Sequence, residues 1–292
     1  MTPLQLFLRQ KTISPSEMKE IVQLLNPQMG SMCQDIVAEC EKMGISIEKT
    51  TKGFRCFDAS FSSETLSSLS GVHVHYIPEC SSTNTIARKY ALENSNTVDV
   101  VVTDFQTEGR GRLQRCWYSN REENLLFSMI FRPKISAKMA PRCTLLWAAS
   151  IAQELDFLVK WPNDIFTTEG RKIAGVLCEA SFENNRVDYL IAGIGINVHQ
   201  KSFPSDLYAS SLDTEWECTN VRSLIFARII RSLVGCELSQ SMELHRNLSY
   251  VLGKVVQVGN IRGKVEAIHD DGTLRIDGKA VYTGDVQILN EI

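Results

Sequence analysis

The loop Gly109–Arg112, which reads GRGR, carries the residue types that hold an anion. Glycines let backbone N–H groups come close to a ligand, and arginines present planar sets of donors that neutralise a phosphate or a carboxylate. Because the loop follows a strongly β-forming run, it could close as a lid over a reactive group. The same residues also fit a solvated loop or a contact to nucleic acid. The common nucleotide-binding patterns GxxxxGKS/T and GxGxxG are absent from the chain.

A second polar cluster lies in the segment KWPND. Lys160 and Trp161 end an apolar run, Pro162 turns the chain, and Asn163 and Asp164 come just beyond the turn. A carboxylate in this place can bind Mg²⁺ or orient an incoming amine. It can equally accept hydrogen bonds from the next backbone amides in an Asx-turn.

Lys172 begins a predicted strand that includes Gly175. A lysine at the start of a strand is commonly a solvated charge at the sheet edge. A neighbouring glycine lets the backbone approach a ligand, and there the lysine could neutralise a reacting carboxylate. Gly193 and Gly195 interrupt the partner strand in the same way, and Asn197 ends it. We therefore expect these two strands to border a ligand.

Further polar and aromatic residues stand near the loop. Ser82, Thr83 and Asn84 lie at a predicted helix start, where hydroxyl and N–H groups can bind a polar head group or simply cap the helix. Gln106 precedes the loop and has the same two interpretations. Trp117 follows the loop and could form the wall beside an adenine or a thiophane-type ring, or belong to the core.

Three zones of the chain must position these residues in an α+β fold. Residues 1–58 read as three short helices and a β-ribbon, the pattern of a winged helix-turn-helix domain, and a serine-rich stretch follows them. Residues 72–245 mix strands with helices that begin at Thr83, at Pro141 and near Val221. This mixture indicates a mostly antiparallel sheet with helices against one face. Residues 250–292 contain about five short strands, typical of a small barrel.

Composition narrows the class of protein. The 292 residues carry a net charge of -3, which argues against a chain that acts mainly by clamping nucleic acid. Nine cysteines without a CxxC pair indicate reduced thiols, and we expect a soluble cytoplasmic protein with no membrane span. His73 and His75 lie on a predicted strand without clustered cysteines or acidic partners, so the sequence does not predict a metal site there.

In motif and in order, the segments STN, GRGR, KWPND, KIAG and GIGIN resemble the biotin–protein ligases over about residues 72–200. The resemblance implies a class II synthetase-like catalytic domain, an N-terminal winged helix-turn-helix like that of the bifunctional ligase/biotin-operon repressors, and a C-terminal SH3-like barrel. It implies that ATP and Mg²⁺ convert biotin to biotinyl-5′-AMP. A lysine of the biotin carboxyl carrier protein of acetyl-CoA carboxylase then takes the biotinyl group.

The resemblance also implies roles for individual residues. Those expected to bind biotin are Ser82, Thr83, Asn84, Gln106, Arg110, Gly111, Arg112 and Lys172. Those expected on the ATP or adenylate side are Gly109, Trp117, Asn163, Asp164 and Asn197. Arg112, Lys172 and Asp164 are expected to be catalytic, with Asp164 also the candidate metal ligand.

Two departures from the family pattern stand out. Leu113 and Gln114 intervene before Arg115, in a loop where the family's repressors often repeat RGR. In the tail, relatives whose barrel contacts ATP place an arginine where this chain has Leu289. Asp285 is then the remaining candidate for a contact from the barrel to the nucleotide.

Other functions stay open. Residues 1–58 hold seven basic and seven acidic side chains, so the domain gains little from counterion release on DNA. Operator binding through Lys49, Lys52 and Arg55 of the wing competes with a role in folding or dimer contacts, and the chain could be a monomer or a homodimer. A lipoate or octanoate ligase and a biotin-sensing regulator without turnover are the alternatives for the central domain.

Overall fold

The computed structural model describes residues 45–50, 53–58, 61–93, 99–216, 221–236 and 241–289. The predicted N-terminal helices and Lys52 lie outside these residues. Strands β1 (Ile45–Thr50) and β2 (Gly53–Asp58) pair antiparallel, as the sequence predicts for the wing ribbon. Their register sets Lys49 opposite Phe54 and Arg55 opposite Glu48. The winged helix-turn-helix as a whole stays a prediction.

A seven-stranded sheet forms the centre of the molecule, in the order β3-β4-β5-β9-β8-β7-β6. Among the described strand pairs of this sheet only β3 and β4 run parallel, so the prediction of a mostly antiparallel sheet is confirmed. The strands are β3 (His73–Cys80), β4 (Asp99–Gln106), β5 (Asn124–Phe131), β6 (Leu158–Lys160), β7 (Asp164–Phe166), β8 (Lys172–Glu183) and β9 (Arg186–Asn197).

The long hairpin β8–β9 shows how local sequence sets the register. Asn184 and Asn185 connect the strands with φ angles of 48° and 63°, the left-handed region that asparagine tolerates better than most residues. This turn, which the sequence predicts, aligns Gly175 with Gly195 and Leu177 with Gly193. The glycines of the two strands are thereby brought together in one region of the sheet.

Six helices are described: α1 (Ser63–Ser70), α2 (Thr83–Leu92), α3 (Ala140–Leu155), α4 (Leu212–Glu215), α5 (Arg222–Val234) and α6 (Ser241–Asn247). Ser62 caps α1 by accepting a hydrogen bond from the backbone N–H of Thr65, and Gly71 ends it with φ at 77°. The helix starts predicted at Thr83, Pro141 and Val221 agree with the structure to within one residue.

The prediction that the helices cover one face of the sheet is wrong. Helices α1, α3 and α5 pack with Val100 and Val102 in the main core. Helix α2 packs with Val101 in a separate cluster. Successive residues of a strand point to opposite faces, so an unbroken apolar run such as that of β4 needs helices on both sides.

The tail forms a five-stranded antiparallel sheet in the order β13-β12-β11-β10-β14, which confirms the predicted number of strands. Its strands are β10 (Val255–Val258), β11 (Ile261–Ile268), β12 (Leu274–Ile276), β13 (Lys279–Val281) and β14 (Gln287–Ile288). Trp161 joins the apolar core of this sheet and donates a hydrogen bond to the carbonyl of Gly272, 2.9 Å away. The KWPND segment is therefore held between the two sheets.

Across the part of the chain that the structure describes, no helix is long and apolar enough to span a bilayer.

Candidate functional site

A cavity of about 400 Å³ opens where the loop after β4, the ends of β7 and β8, and the start of α2 meet. It is lined by every residue that the sequence assigns to biotin, nucleotide or catalysis except Gly109: Ser82, Thr83, Asn84, Gln106, Arg110, Gly111, Arg112, Trp117, Asn163, Asp164, Lys172 and Asn197. Gly109 lies behind this wall and accepts a hydrogen bond from the backbone N–H of Trp117 at 2.9 Å. Residues more than 100 positions apart in the sequence share this one cavity.

One end of the cavity is a buried network of hydroxyl and amide groups. The Gln106 Oε1 atom accepts from the backbone N–H of Thr83 at 2.8 Å and lies 3.2 Å from Thr83 Oγ1. The Ser128 hydroxyl lies 2.7 Å from Thr83 Oγ1 and 2.6 Å from Asn84 Oδ1. Ser82 is the residue before α2, but its side chain makes no cap hydrogen bond. These groups are fixed before any ligand enters, which suits recognition of a polar ring.

Two glycines of β9 make room for the walls of the cavity. A Cβ atom added to Gly193 would lie 2.9 Å from Asn84 Cγ and closer still to its oxygen. A Cβ atom added to Gly195 would lie 2.9 Å from Trp117 Nε1 and closer to the ring carbons. The sequence suggested that these glycines leave space for the ligand itself. The structure shows that they let the side chains of Asn84 and Trp117 pack against the strand.

The other end of the cavity carries charge. Lys172 Nζ lies 2.7 Å from Asp164 Oδ1 and 5.3 Å from the centre of the Trp117 ring. The side chains of Lys172 and Asp164 are 31% and 22% exposed, so the pair faces the opening. Burial lowers the pKa of Lys160, which lines the same region, although the carboxylate of Asp164 raises it in part. An anionic ligand can replace Asp164 as the partner of Lys172.

Two asparagines hold the strands around this charged end. Asn163 donates to the carbonyl of Val176 at 2.9 Å, and its Oδ1 accepts from Arg112 Nη1 at 3.1 Å. Asn197 donates to the carbonyls of Ser210 and Lys172 at 3.0 and 3.3 Å. Both amides line the cavity while they fix its framework.

The GRGR loop is anchored to the C-terminal sheet. Arg112 Nη2 donates to the carbonyl of Gly284 at 3.1 Å, and Arg112 Nη1 lies 3.8 Å from Asp285 Oδ1. Arg115 forms an ion pair with the same carboxylate. Leu113 and Gln114, the two residues that depart from the family pattern, adopt left-handed φ angles of 55° and 59°. They form the tight turn that brings both arginines to Asp285.

Among the residues without a role predicted from the sequence, Ser128 hydrogen-bonds two side chains that line the cavity, and Lys160 lines it directly. Ser128 is fully buried in the strand NLLFSMIF, where a single polar residue among apolar neighbours was the available signal. Lys160 was noted only as part of KWPND, and its position inside the cavity depends on the packing of Trp161 against the tail.

The protein has an α+β fold, and its main cavity combines an amide and hydroxyl network at one end with cationic side chains at the other. The chain belongs to the biotin/lipoate A/B protein ligase family, whose family model matches residues 76–197. It is 31% identical over 245 residues to the bifunctional ligase/repressor BirA of Bacillus spizizenii and to that of Bacillus subtilis, covering 75% of this chain and 74% of each relative. Among solved structures, it is similar to a biotin protein ligase from Aquifex aeolicus in complex with biotin and ATP. That likeness has a TM-score of 0.63 and 26% identity, and covers 75% of this chain and 99% of the other.

Proposed function

We propose that the protein is an ATP-dependent biotin–protein ligase. It forms biotinyl-5′-AMP and pyrophosphate, and then transfers the biotinyl group to a lysine of the biotin carboxyl carrier protein of acetyl-CoA carboxylase. One observation carries this proposal: a single cavity joins a preformed amide and hydroxyl network to a cluster of cations. Biotin has the matching chemistry, with a polar ureido ring at one end and a carboxylate at the other.

In this proposal the ring system of biotin lies at the buried end of the cavity. Thr83, Asn84 and Gln106 bind its polar edge, and Ser82 and Ser128 support them. Trp117 forms the wall against which a flat or sulfur-containing ring packs. The valeryl carboxylate then reaches the charged end.

The chemistry at the charged end is electrostatic. The biotin carboxylate attacks the α-phosphorus of ATP, and negative charge grows on the phosphate oxygens. In the proposed reaction Lys172 and Arg112 neutralise this charge, and Arg110 and Gly111 of the loop cover it; all four residues line the cavity, which supports these roles. Shielding matters because an acyl phosphate that meets water is hydrolysed.

Asp164 has two roles in this scheme. Its carboxylate pairs with Lys172 and is the hard oxygen donor that Mg²⁺ prefers, so Asp164 is the residue that would hold the metal. When bound, Mg²⁺ would supply positive charge to the phosphates of ATP. Asn163 and Asn197 keep the surrounding strands in place, and Gly109 supports Trp117.

Pyrophosphate release tests the proposal against its alternatives. Biotin should trigger release with ATP and Mg²⁺, and lipoate or octanoate should not. Release with lipoate alone would favour a lipoate ligase, which the family description also covers. Tight binding of biotin without any release would favour a sensor that does not turn over.

A second role as a biotin-operon repressor is proposed on two grounds. The Bacillus relatives are named bifunctional ligase/repressors. The β1–β2 ribbon follows the predicted N-terminal helices in sequence, as the wing does in a winged helix-turn-helix domain. Lys49, Lys52 and Arg55 would contact DNA. An electrophoretic mobility shift with the chain's own biotin-operon upstream region, biotin and ATP tests this role, and a Lys49→Gln, Arg55→Gln variant is the control. The absence of a shift at low salt would exclude the repressor role.

A further inference from the structure

A histidine pair that the proposed reaction does not use lies at the start of the outermost strand of the central sheet. Strand β3 pairs in parallel with β4, and this register sets His73 beside Asp99. His75 follows two residues later and therefore points to the same face. His73 Nδ1 lies 2.8 Å from Asp99 Oδ1, and His75 Nε2 lies 3.8 Å from the same oxygen. The three potential ligand atoms all lie within 4.8 Å of one another.

The three side chains form a cluster in which the carboxylate is buried and one imidazole is largely exposed. The Asp99 side chain is 5% exposed and that of His75 is 26% exposed, whereas that of His73 is 62% exposed. Tyr90 of helix α2 stacks on the His75 ring at 4.3 Å between centroids, which fixes the ring plane. Imidazole nitrogens are the commonest protein ligands of transition metals.

The donor set selects a class of ion. Two imidazole nitrogens and one carboxylate oxygen suit Zn²⁺ and its late first-row neighbours, whereas Mg²⁺ and Ca²⁺ prefer oxygen alone. Tetrahedral Zn²⁺ with bonds of about 2.0–2.2 Å needs donor atoms roughly 3.3 Å apart. The observed distances to Asp99 Oδ1 of 2.8 and 3.8 Å lie on either side of that value. All three donor atoms lie within 4.8 Å of one another, which is close to the spacing that one ion requires.

We propose that His73, His75 and Asp99 form a binding site for a divalent transition metal of the Zn²⁺ type, with water as the fourth ligand. The ion joins β3, an edge strand, to β4. The site lies at the opposite end of β3 from Ser82, so an ion can bind there while the cavity stays open. A simple ion pair between His73 and Asp99 is the competing interpretation, and it does not require His75.

The test uses the full-length protein without a polyhistidine tag. Titration calorimetry with ZnCl₂ should give one ion per chain at this site, and either His73→Ala or His75→Ala should weaken binding at least about tenfold, because even residues that only orient metal ligands are worth 10–100-fold. His269→Ala, which removes an exposed histidine just after β11, should bind as the parent does. Circular dichroism is the check that each variant is folded. Because the His73 side chain is largely exposed, His73→Ala should not disturb the packing of the protein.

Cobalt distinguishes this site from the free cysteines. Co²⁺ bound by imidazole and carboxylate should give visible d–d absorption without the near-ultraviolet band of a thiolate ligand, and the absorption should disappear in His75→Ala. Three results would overturn the proposal. These are no binding to the parent, binding that His75→Ala leaves intact, and a thiolate band that accounts for all bound cobalt.

Discussion

Replacement of Gly193 by alanine probes the wall of the cavity most sharply. No positive φ is involved, so the added methyl group acts only through space. It would lie 2.9 Å from Asn84 Cγ, and ordinary contact begins at 3.4 Å. The amide carbon must therefore move by about 0.5 Å, and the oxygen, which is nearer, by roughly 1 Å.

Asn84 has little freedom to move. It is 7% exposed, its Oδ1 lies 2.6 Å from the Ser128 hydroxyl, and its Nδ2 lies 3.5 Å from the carbonyl of Leu177. Overpacking of this kind costs about 1–3 kcal/mol of stability, and displacement of a binding group by 1 Å can cost about 100-fold in rate. We expect Gly193→Ala to stay folded and to lose about 100-fold in kcat/KM for biotin.

The assay combines biotin titration calorimetry with pyrophosphate release, and thermal unfolding reports the stability. Gly235→Ala is the matched control, because its added Cβ would be 3.4 Å from the nearest atom, the Arg231 carbonyl oxygen, at the end of α5. That variant should keep its affinity for biotin. If folded Gly193→Ala binds biotin within about threefold of the parent, Asn84 does not line the biotin site.

Three further perturbations follow from the structure. Lys172→Ala should slow adenylation by on the order of 10²–10³, the loss that follows removal of one preorganised group that stabilises charge, as measured by pyrophosphate release. Asp285→Asn should free the Arg112 loop and speed loss of biotinyl-5′-AMP about two- to fivefold, since partly exposed ion pairs are worth up to about 1 kcal/mol. Burial lowers the pKa of His245 from 6.5 to about 4, so the unfolded chain binds this proton more readily than the folded one. The contribution of His245 to the free energy of unfolding should be fully present above pH 6.5 and fall by up to about 3 kcal/mol as the pH drops to 4. Urea unfolding at several pH values should show this loss in the parent and not in His245→Leu.

Each of these predictions has a control. Lys201→Ala removes an exposed lysine and should leave adenylation unchanged. Asp270→Asn removes a carboxylate of the tail that pairs with Arg246 away from the loop, and it should retain the adenylate as the parent does. A fully active Lys172→Ala would make that lysine a simple edge charge. Equal retention of adenylate by Asp285→Asn, or the same pH dependence in His245→Leu, would contradict the other two predictions.

The sequence predicted the turns and ends of β8 and β9 and most of the polar residues that line the cavity. Glycine and asparagine positions mark the ends and turns of β8 and β9, and their conformations depend on only a few neighbouring residues. The motifs around Thr83, the GRGR loop and Lys172 were predicted to share a ligand because of their order, and the structure brings them to one cavity.

What the sequence did not predict depends on contacts between distant segments. The ion pair of Lys172 with Asp164 requires the pairing of β7 with β8, and the contact of Arg112 with Gly284 requires the tail to pack on Trp161. The carboxylate beside His73 was missed for the same reason. Asp99 lies 26 residues away and arrives through a parallel pairing that no local pattern encodes.

Transfer of biotin to a purified carboxyl carrier domain is the decisive assay for the proposed ligase reaction. With ATP and Mg²⁺ present, we expect one biotin per carrier, pyrophosphate released in equal amount, and loss of both in a Lys172→Ala, Arg112→Gly double variant. Pyrophosphate release and transfer that persist in this folded double variant would contradict the view that the cations of the cavity stabilise and shield the acyl phosphate.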